Sequence, residues 1–261
     1  MNGILAATLM VGGTGLLIGI LLGIAGKKFY VEVDERETKV REALPGNNCG
    51  GCGYAGCDAL AKAIAAGQAD VGACPVGGAS TAEKIGAIMG VAGGAAEKKV
   101  AFVKCKGSCD KTAVQYNYYG VDDCKKVSVV PGAGEKACAY GCMGYGSCVR
   151  ACAFDAIHVV DGVAVVDKEK CVACGKCVAS CPNHLIELVP YKAEHLVQCS
   201  SHDKGKDVKA VCAAGCIGCT LCTKQCEFDA IHMENNLAVI DYEKCTNCGK
   251  CAEKCPVKVI V

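Results

Sequence analysis

The stretches CVACGKCVASCP at residues 171–182 and CTNCGKCAEKCP at residues 245–256 decide the fold of this chain. Each spells C-x2-C-x2-C-x3-C-P, the cysteine run that binds [4Fe–4S] clusters in bacterial ferredoxins, where the fourth cysteine ligates the second cluster of a pair. Zinc sites usually consist of two C-x2-C pairs separated by a spacer. The spacing therefore favours two-cluster iron–sulfur modules over a zinc-stabilised scaffold.

The two runs belong to an internal repeat whose copies are offset by 74 residues. FDAIHVVDGVAVVDKEK at 154–170 precedes the first run, and FDAIHMENNLAVIDYEK at 228–244 precedes the second. A repeated unit of this size marks a repeated supersecondary structure. We expect two tandem ferredoxin-like domains, each built from β-hairpins plus short helices.

The second of these domains has a complete ligand set under the crossed pattern. Its two predicted tetrads are Cys216, Cys219, Cys222, Cys255 and Cys226, Cys245, Cys248, Cys251. The shift of 74 residues predicts one tetrad in the first domain: Cys152, Cys171, Cys174 and Cys177. The other has only Cys142, Cys148 and Cys181, because Tyr145 stands where the second domain has Cys219. Cys138 is the nearest candidate for its fourth ligand.

A separate four-cysteine module precedes the repeats. It consists of Cys49, Cys52, Cys57 and Cys74, the last followed by Pro75. Glycines crowd its ligand loop, and glycine permits the close backbone approach and positive φ that a loop around an inorganic cube requires. We expect this module to bind one [4Fe–4S] cluster by itself.

Five cysteines have no partner in these patterns: Cys105, Cys109, Cys124, Cys199 and Cys212. The first three could form the core of a further cluster, completed by Cys199, Cys212 or Cys138. In the alternative, Cys199 and Cys212 are buried thiols that bind nothing. The sequence thus predicts five to six [4Fe–4S] clusters.

The amino-terminal segment has a different composition. No charged residue occurs from Gly3 to Gly26, a stretch of 24 residues, and about 20 apolar residues span a bilayer core. Lys27 and Lys28 follow the apolar stretch rather than precede it. This order favours a retained single-pass anchor over a cleaved signal peptide, and it predicts that the bulk of the chain is cytoplasmic. One face of the helix carries small residues suited to packing against a membrane partner: Gly15, Gly19 and Gly23.

These features predict small α+β iron–sulfur modules. The expected divisions are an anchor and its flank at 1–29, the four-Cys domain with a charged stalk at 30–78, a linker at 79–100, the first ferredoxin-like domain with the extra cysteines at 101–190, and the second at 191–261. The net charge of +1 gives no general attraction to nucleic acid. There is no Walker A sequence, and the glycines at 12–15 lie inside the anchor and make no dinucleotide fingerprint. NAD and flavin are therefore expected on partner proteins only.

The anchor, CGGCGYAGC at 49–57 with its distant Cys74, and the ferredoxin runs, in that order, resemble the RnfB family of Rnf complexes. Those complexes are membrane-bound ferredoxin:NAD⁺ oxidoreductases that couple electron flow to Na⁺ or H⁺ translocation. The four-Cys module is also similar to a domain of the corrinoid iron–sulfur protein. The resemblance implies a place in the cell (inner) membrane, soluble ferredoxin as electron donor, and other Rnf-type subunits as partners, at least one of them integral to the membrane. It also implies that the chain has no catalytic side chains of its own, since the clusters carry the chemistry. The alternative is a polyferredoxin subunit that wires another membrane redox complex, such as a hydrogenase or reductase.

Overall fold

A computed structural model of the chain describes residues 2–29, 34–92, 94 and 97–261. Its first element is helix α1 (Asn2–Lys28). The stretch from Leu9 to Lys28 has no buried residue, and α1 is the one helix within the described ranges that is long and apolar enough to cross a membrane. The charged stalk is predicted from Tyr30 to Arg41, and its first four residues, 30–33, lie outside the described residues.

The four-cysteine module contains three helices: α2 (Glu35–Ala43), α3 (Cys57–Ala65) and α4 (Gly78–Met89). Asp34 caps α2 by accepting a hydrogen bond from the Arg36 amide at 2.8 Å. Val40, Leu60, Ile64 and Ile85 are almost completely buried in one core that all three helices share. The second half of the predicted stalk is therefore part of a packed module.

Helix α4 lies in the segment predicted as a linker, where the sequence indicated a short helix followed by glycine and alanine. Its buried residues, Thr81, Ala82, Ile85 and Gly86, form one face of the helix at i, i+1, i+4 and i+5. The helix ends at Gly90, whose φ of 71° is left-handed and suits glycine. The helical half of the segment therefore packs with the four-cysteine module, because it has an apolar face to bury. The domain limits themselves stay predictions.

Strand β1 (Lys99–Val103) and the one-turn helix α5 (Cys124–Val127) precede the repeats. The first repeat, residues 142–185, contains α6 (Ser147–Ala151), β2 (Ile157–Val160), β3 (Val163–Val166) and α7 (Lys176–Ser180), and β4 (Ile186–Pro190) follows it. Helix α8 (Gly205–Val211) stands between the repeats. The second repeat, residues 216–259, contains α9 (Leu221–Gln225), β5 (Ile231–Glu234), β6 (Leu237–Ile240) and α10 (Lys250–Glu253).

Each repeat folds its two strands into an antiparallel hairpin with the same register. Ile157 lies opposite Val166 in the first hairpin, and Ile231 lies opposite Ile240 in the second. Both hairpins close through two residues of positive φ, at 161–162 and 235–236, as the favoured tight hairpin turns require. The predicted hairpins and short helices are present in both repeats.

A third strand pair joins the segment with the extra cysteines to the first repeat. Strand β1 pairs antiparallel with β4, from Lys99 opposite Pro190 to Val103 opposite Ile186. Val100 and Val189 lie opposite each other in this pair, and both are buried. The pairing fixes the chain that leads to Cys105 against the end of the first repeat.

Candidate metal centres

The cysteine loops of the two repeats share one backbone conformation. In each C-x2-C-x2-C run, the second and fourth residues after the first cysteine have positive φ: Ala173 (54°), Gly175 (74°), Asn247 (56°) and Gly249 (75°). This conformation bends the loop so that its cysteine side chains lie on the concave side. Local loop geometry therefore supports the prediction that the three cysteines of each run face a common centre.

The isolated cysteines of the crossed pattern also have one geometry. The third residue after each has φ near 50°: Asp155, His184, Asp229 and Lys258. The amide of the next residue donates to the cysteine sulfur, from Ala156 to Cys152 (3.5 Å), Leu185 to Cys181 (3.4 Å), Ala230 to Cys226 (3.3 Å) and Val259 to Cys255 (3.4 Å). Amide hydrogen bonds to sulfur stabilise thiolate ligands and help to set the reduction potential of a cluster.

Five cavities, with volumes from about 310 to about 430 Å³ including space open to solvent, are each lined by four cysteines. Three of these tetrads match the predicted sets, and they are Cys152, Cys171, Cys174, Cys177; Cys226, Cys245, Cys248, Cys251; and Cys216, Cys219, Cys222, Cys255. The other two tetrads are Cys124, Cys142, Cys148, Cys181 and Cys105, Cys138, Cys199, Cys212.

The donor sets fit [4Fe–4S] clusters better than single metal ions. No three His, Cys, Asp or Glu side chains among the described residues converge closely enough to hold one ion, whereas a cube holds its four thiolates at separate corners. Burial raises the pKa of Cys148 to about 12 and that of Cys138, Cys177 and Cys222 to about 11. Such thiols become thiolates at neutral pH only beside a cationic centre.

The cysteines of the amino-terminal module lie around its helical core. Cys52, Cys57 and Cys74 pack in or against that core, and Cys49 is half-buried in the preceding loop. Burial raises the pKa of Cys74, and the neighbouring Cys57 and Cys52 thiols raise it further. The Gly77 amide donates to the Cys74 sulfur at 3.4 Å. These contacts bring three of the four predicted ligands into one neighbourhood.

The cavity beside the loop that carries Tyr145 is lined by Cys124 with Cys142, Cys148 and Cys181, whereas the spacing predicts Cys138 as the fourth ligand there. The Cys124 amide donates to Ser147 Oγ at 2.8 Å, and this hydroxyl donates to Asp123 Oδ1 at 2.8 Å. These bonds clamp α5 onto α6 beside Cys148. Tyr145 packs edge-on against Tyr118, with ring centroids 5.3 Å apart.

A second difference from the predicted ligand sets concerns the cysteines that the sequence patterns leave without a partner. Cys138 lines a cavity with Cys105, Cys199 and Cys212. Cys109, predicted as a ligand, is exposed and lines none of the five cavities. The repeat offset was a usable signal here, since Cys138 and Cys212 are 74 residues apart. No local spacing marked Cys124.

The four-cysteine module packs directly against the first repeat. A Cβ on Gly51 would lie 2.8 Å from the Cys174 carbonyl oxygen and 2.9 Å from its Cα, so only glycine permits this approach. The position equivalent to Cys174 in the second repeat is Cys248, which is exposed, as is Cys219.

Comparison with known proteins agrees with this geometry. Three family models match the chain: an Fe-S cluster model (FeS) at residues 44–76, a 4Fe-4S binding domain at 164–187, and a 4Fe-4S dicluster domain at 215–259. Iron–sulfur and ferredoxin-type domains are therefore present. None of the three matches reaches Cys105, Cys109, Cys124, Cys138, Cys199 or Cys212.

Relatives extend the similarity to the full length of the chain. The B subunit of the Na(+)-translocating ferredoxin:NAD(+) oxidoreductase complex of Acetobacterium woodii is 50% identical over 100% of this chain and 78% of its own length. The B subunit of the ion-translocating oxidoreductase complex of Methanosarcina acetivorans is 45% identical over 95% of this chain and 94% of its own length. The B subunit of the proton-translocating ferredoxin:NAD(+) oxidoreductase complex of Clostridium ljungdahlii is 38% identical over 100% and 93%, respectively. With these identities over nearly whole chains and the cysteine tetrads in hand, the chain belongs to the RnfB family, the B subunits of Rnf complexes.

Proposed function

We propose that this chain is an iron–sulfur electron-transfer subunit of an ion-translocating ferredoxin:NAD⁺ oxidoreductase. It takes electrons from reduced ferredoxin and relays them through [4Fe–4S] clusters to partner subunits. The observation that carries the proposal is the set of five cavities, each lined by four cysteines. The relatives that match over nearly the full length are named as B subunits of ion-translocating oxidoreductase complexes, and this supports the proposed complex.

The proposed ligands are the cysteines of the five cavity tetrads and of the amino-terminal module, which make 24 of the 25 cysteines. The clusters supply one-electron chemistry when bound. The chain holds each cluster by its thiolates, shields it by burial, and donates amide hydrogen bonds to the sulfurs. This role needs no catalytic side chain, and NAD and flavin bind partner subunits in this proposal.

Helix α1 is the proposed membrane anchor, with the iron–sulfur modules on the cytoplasmic side. Its described side chains from Leu9 onward are almost all exposed, which in water would leave a large apolar surface uncovered. A Cβ on Gly15, Gly19 or Gly23 would meet no atom of the described residues within 4 Å. We expect this glycine face to pack against an integral membrane subunit of the complex.

The second repeat is the proposed point of contact with soluble ferredoxin. In the first repeat, Gly51 of the four-cysteine module packs against the backbone of Cys174 and covers the surface around it. The equivalent Cys248 is exposed, so the same face of the second repeat is open to an external redox protein. Electron transfer between proteins needs such an exposed cluster edge, and electrostatic steering can speed the encounter.

The test uses the full chain, purified anaerobically in detergent. Iron, acid-labile sulfide and zinc are counted per chain, and reduced ferredoxin is then mixed with the protein while its reoxidation is followed. We expect about 24 iron with matching sulfide, at four per cluster, and reoxidation accompanied by the EPR signals of reduced clusters. The matched control is the Cys109→Ser variant, which keeps every proposed ligand. Zinc in place of iron, or ferredoxin that stays reduced, would overturn the proposal.

A further inference from the structure

The cavity lined by Cys105, Cys138, Cys199 and Cys212 lies between the two repeats. Cys105 follows β1, Cys138 precedes the first repeat, and the other two precede the second, on either side of α8. Backbone hydrogen bonds bring these segments together, from the Ala113 amide to the Val211 carbonyl and from the Ala213 amide to the Lys111 carbonyl, both at 2.8 Å. The four thiols therefore meet through long-range pairing.

Gly107 lies beside two of the four sulfurs of this cavity. A Cβ on Gly107 would lie 3.4 Å from the Cys212 sulfur and 3.6 Å from the Cys105 sulfur. Both are ordinary van der Waals distances, whereas the same Cβ would lie only 2.7 Å from Thr112 Oγ1, so a larger residue at 107 would force that side chain to move. Among described residues, the lining contains no carboxylate that could serve a single hard cation.

Two equivalent hydrogen bonds connect this tetrad to its neighbours. The Cys142 amide donates to the Cys105 sulfur at 3.4 Å, and the Cys216 amide donates to the Cys199 sulfur at 3.3 Å. Cys142 and Cys216 are equivalent positions of the repeat, and each lines a cluster cavity of its own. One N–H···S hydrogen bond thus connects this tetrad directly to a cysteine of the neighbouring cavity in each repeat.

We propose that Cys105, Cys138, Cys199 and Cys212 bind a [4Fe–4S] cluster that passes electrons between the two ferredoxin-like modules. We call it the bridging cluster, and it rests on the electron-transfer function proposed above. A cluster held by these four thiolates would supply one-electron transfer: it would accept one electron from a reduced cluster of one module and donate that electron to the other module. No bond breaks and no proton moves. The electron comes from reduced ferredoxin, the donor in that function.

The cavity of the bridging cluster differs from its two neighbours in having lysines among its lining residues. Lys104, Lys106 and Lys136 line its cavity, with Lys104 paired to Glu187 at 3.0 Å, whereas the described residues that line the two neighbouring cavities include no charged side chain. Lys136 Nζ is held by the Gly107 and Gly162 carbonyls at 2.8 and 2.6 Å, and Lys106 Nζ by the Lys258 carbonyl at 3.0 Å. Fixed positive charge stabilises the more negative, reduced cluster. Lys136 also acts on Cys142 in the neighbouring cavity of the first repeat, so the bridging cluster should be reduced before the neighbouring cluster of the second repeat.

The first experiment is an iron count on four forms of the full chain: Cys138→Ser, Cys212→Ser, the double variant, and Cys109→Ser as control. Each single variant should lose about four of about 24 iron, and the double variant should also lose only about four, because both cysteines serve one cluster. Unchanged iron in the single variants, or a loss of about eight in the double variant, would overturn the bridge. The relay function would survive that result if the chain still reoxidised ferredoxin.

The second experiment is an EPR-monitored redox titration of Lys136→Met and Lys106→Met, with the exposed Lys168→Met as control. At the potential where the bridging cluster of the parent protein is half-reduced, removal of either lysine charge should lower the ratio of its reduced to its oxidised form about tenfold, with the iron count unchanged. Lys168→Met should leave the titration unchanged. If the lysine variants titrate like the parent protein, the assigned order of reduction is refuted.

Discussion

The sharpest prediction concerns the cavity beside the loop that carries Tyr145. Either Cys124 or a cysteine introduced at position 145 could supply the fourth ligand there. Cys124 occupies the fourth corner of the tetrad with Cys142, Cys148 and Cys181. Its replacement by serine leaves three thiolates. We expect Cys124→Ser to lose one cluster of six, so that iron falls from about 24 to about 20 per chain.

The loop that carries Tyr145 still has the conformation of a complete cluster loop. Gly144 and Gly146 have φ of 86° and 69°, and their equivalents around Cys219, Gly218 and Thr220, have φ of 64° and 60°. A cysteine at 145 should therefore face the cavity as Cys219 faces its own. We expect Tyr145→Cys to restore the lost cluster in the Cys124→Ser background, back to about 24 iron.

The assay is iron and acid-labile sulfide per chain on anaerobically purified protein, with the EPR spectrum of the reduced form. Tyr145→Phe in the Cys124→Ser background is the control, since it changes the same position without adding a thiol. Full iron in Cys124→Ser would show that this cysteine is not a ligand. Loss without recovery in the Tyr145→Cys double variant would refute the argument from loop geometry.

Three further predictions concern packing and metal dependence. Ile85→Ala should destabilise the four-cysteine module by about 2–5 kcal/mol, since Ile85 is fully buried. Thermal unfolding would measure this loss, with the exposed Lys84→Ala as the near-neutral control. An equal effect of both variants would contradict the packing of α4. Gly51→Ala should weaken the docking of that module on the first repeat by about 1–3 kcal/mol, the cost of overpacking a tight contact. Weaker docking should show as faster proteolysis between residues 90 and 99. Unchanged proteolysis would exclude the contact. Removal of iron should abolish protease resistance of both repeats, because hairpins with four residues per strand bury little apolar surface; resistance that persists in the apoprotein would contradict this.

Some of the architecture could be predicted from the sequence because the signals are local. The runs at 171–182 and 245–256, the hairpins at equivalent positions and the apolar helix α1 all depend on residues a few positions apart. The predicted tetrads that reappear as cavities use ligands within one repeat. The sequence predicts a helix at the position of α4 but not its packing with α2, because that packing depends on which face of the helix is buried.

The sequence by itself determined that this chain carries iron–sulfur modules in tandem, since C-x2-C-x2-C spacing and positive-φ residues fix neighbouring ligands through the backbone alone. Only the tertiary structure decided how the remaining thiols divide. The Ser147–Asp123 clamp brings Cys124 to the Tyr145 cavity, and pairing of the chain around Thr112 with Cys212 brings Cys105 to Cys212. It also left Cys109 exposed. Spacing along the chain carries no information about such pairs, because strand pairing and side-chain contacts between distant segments set their distance.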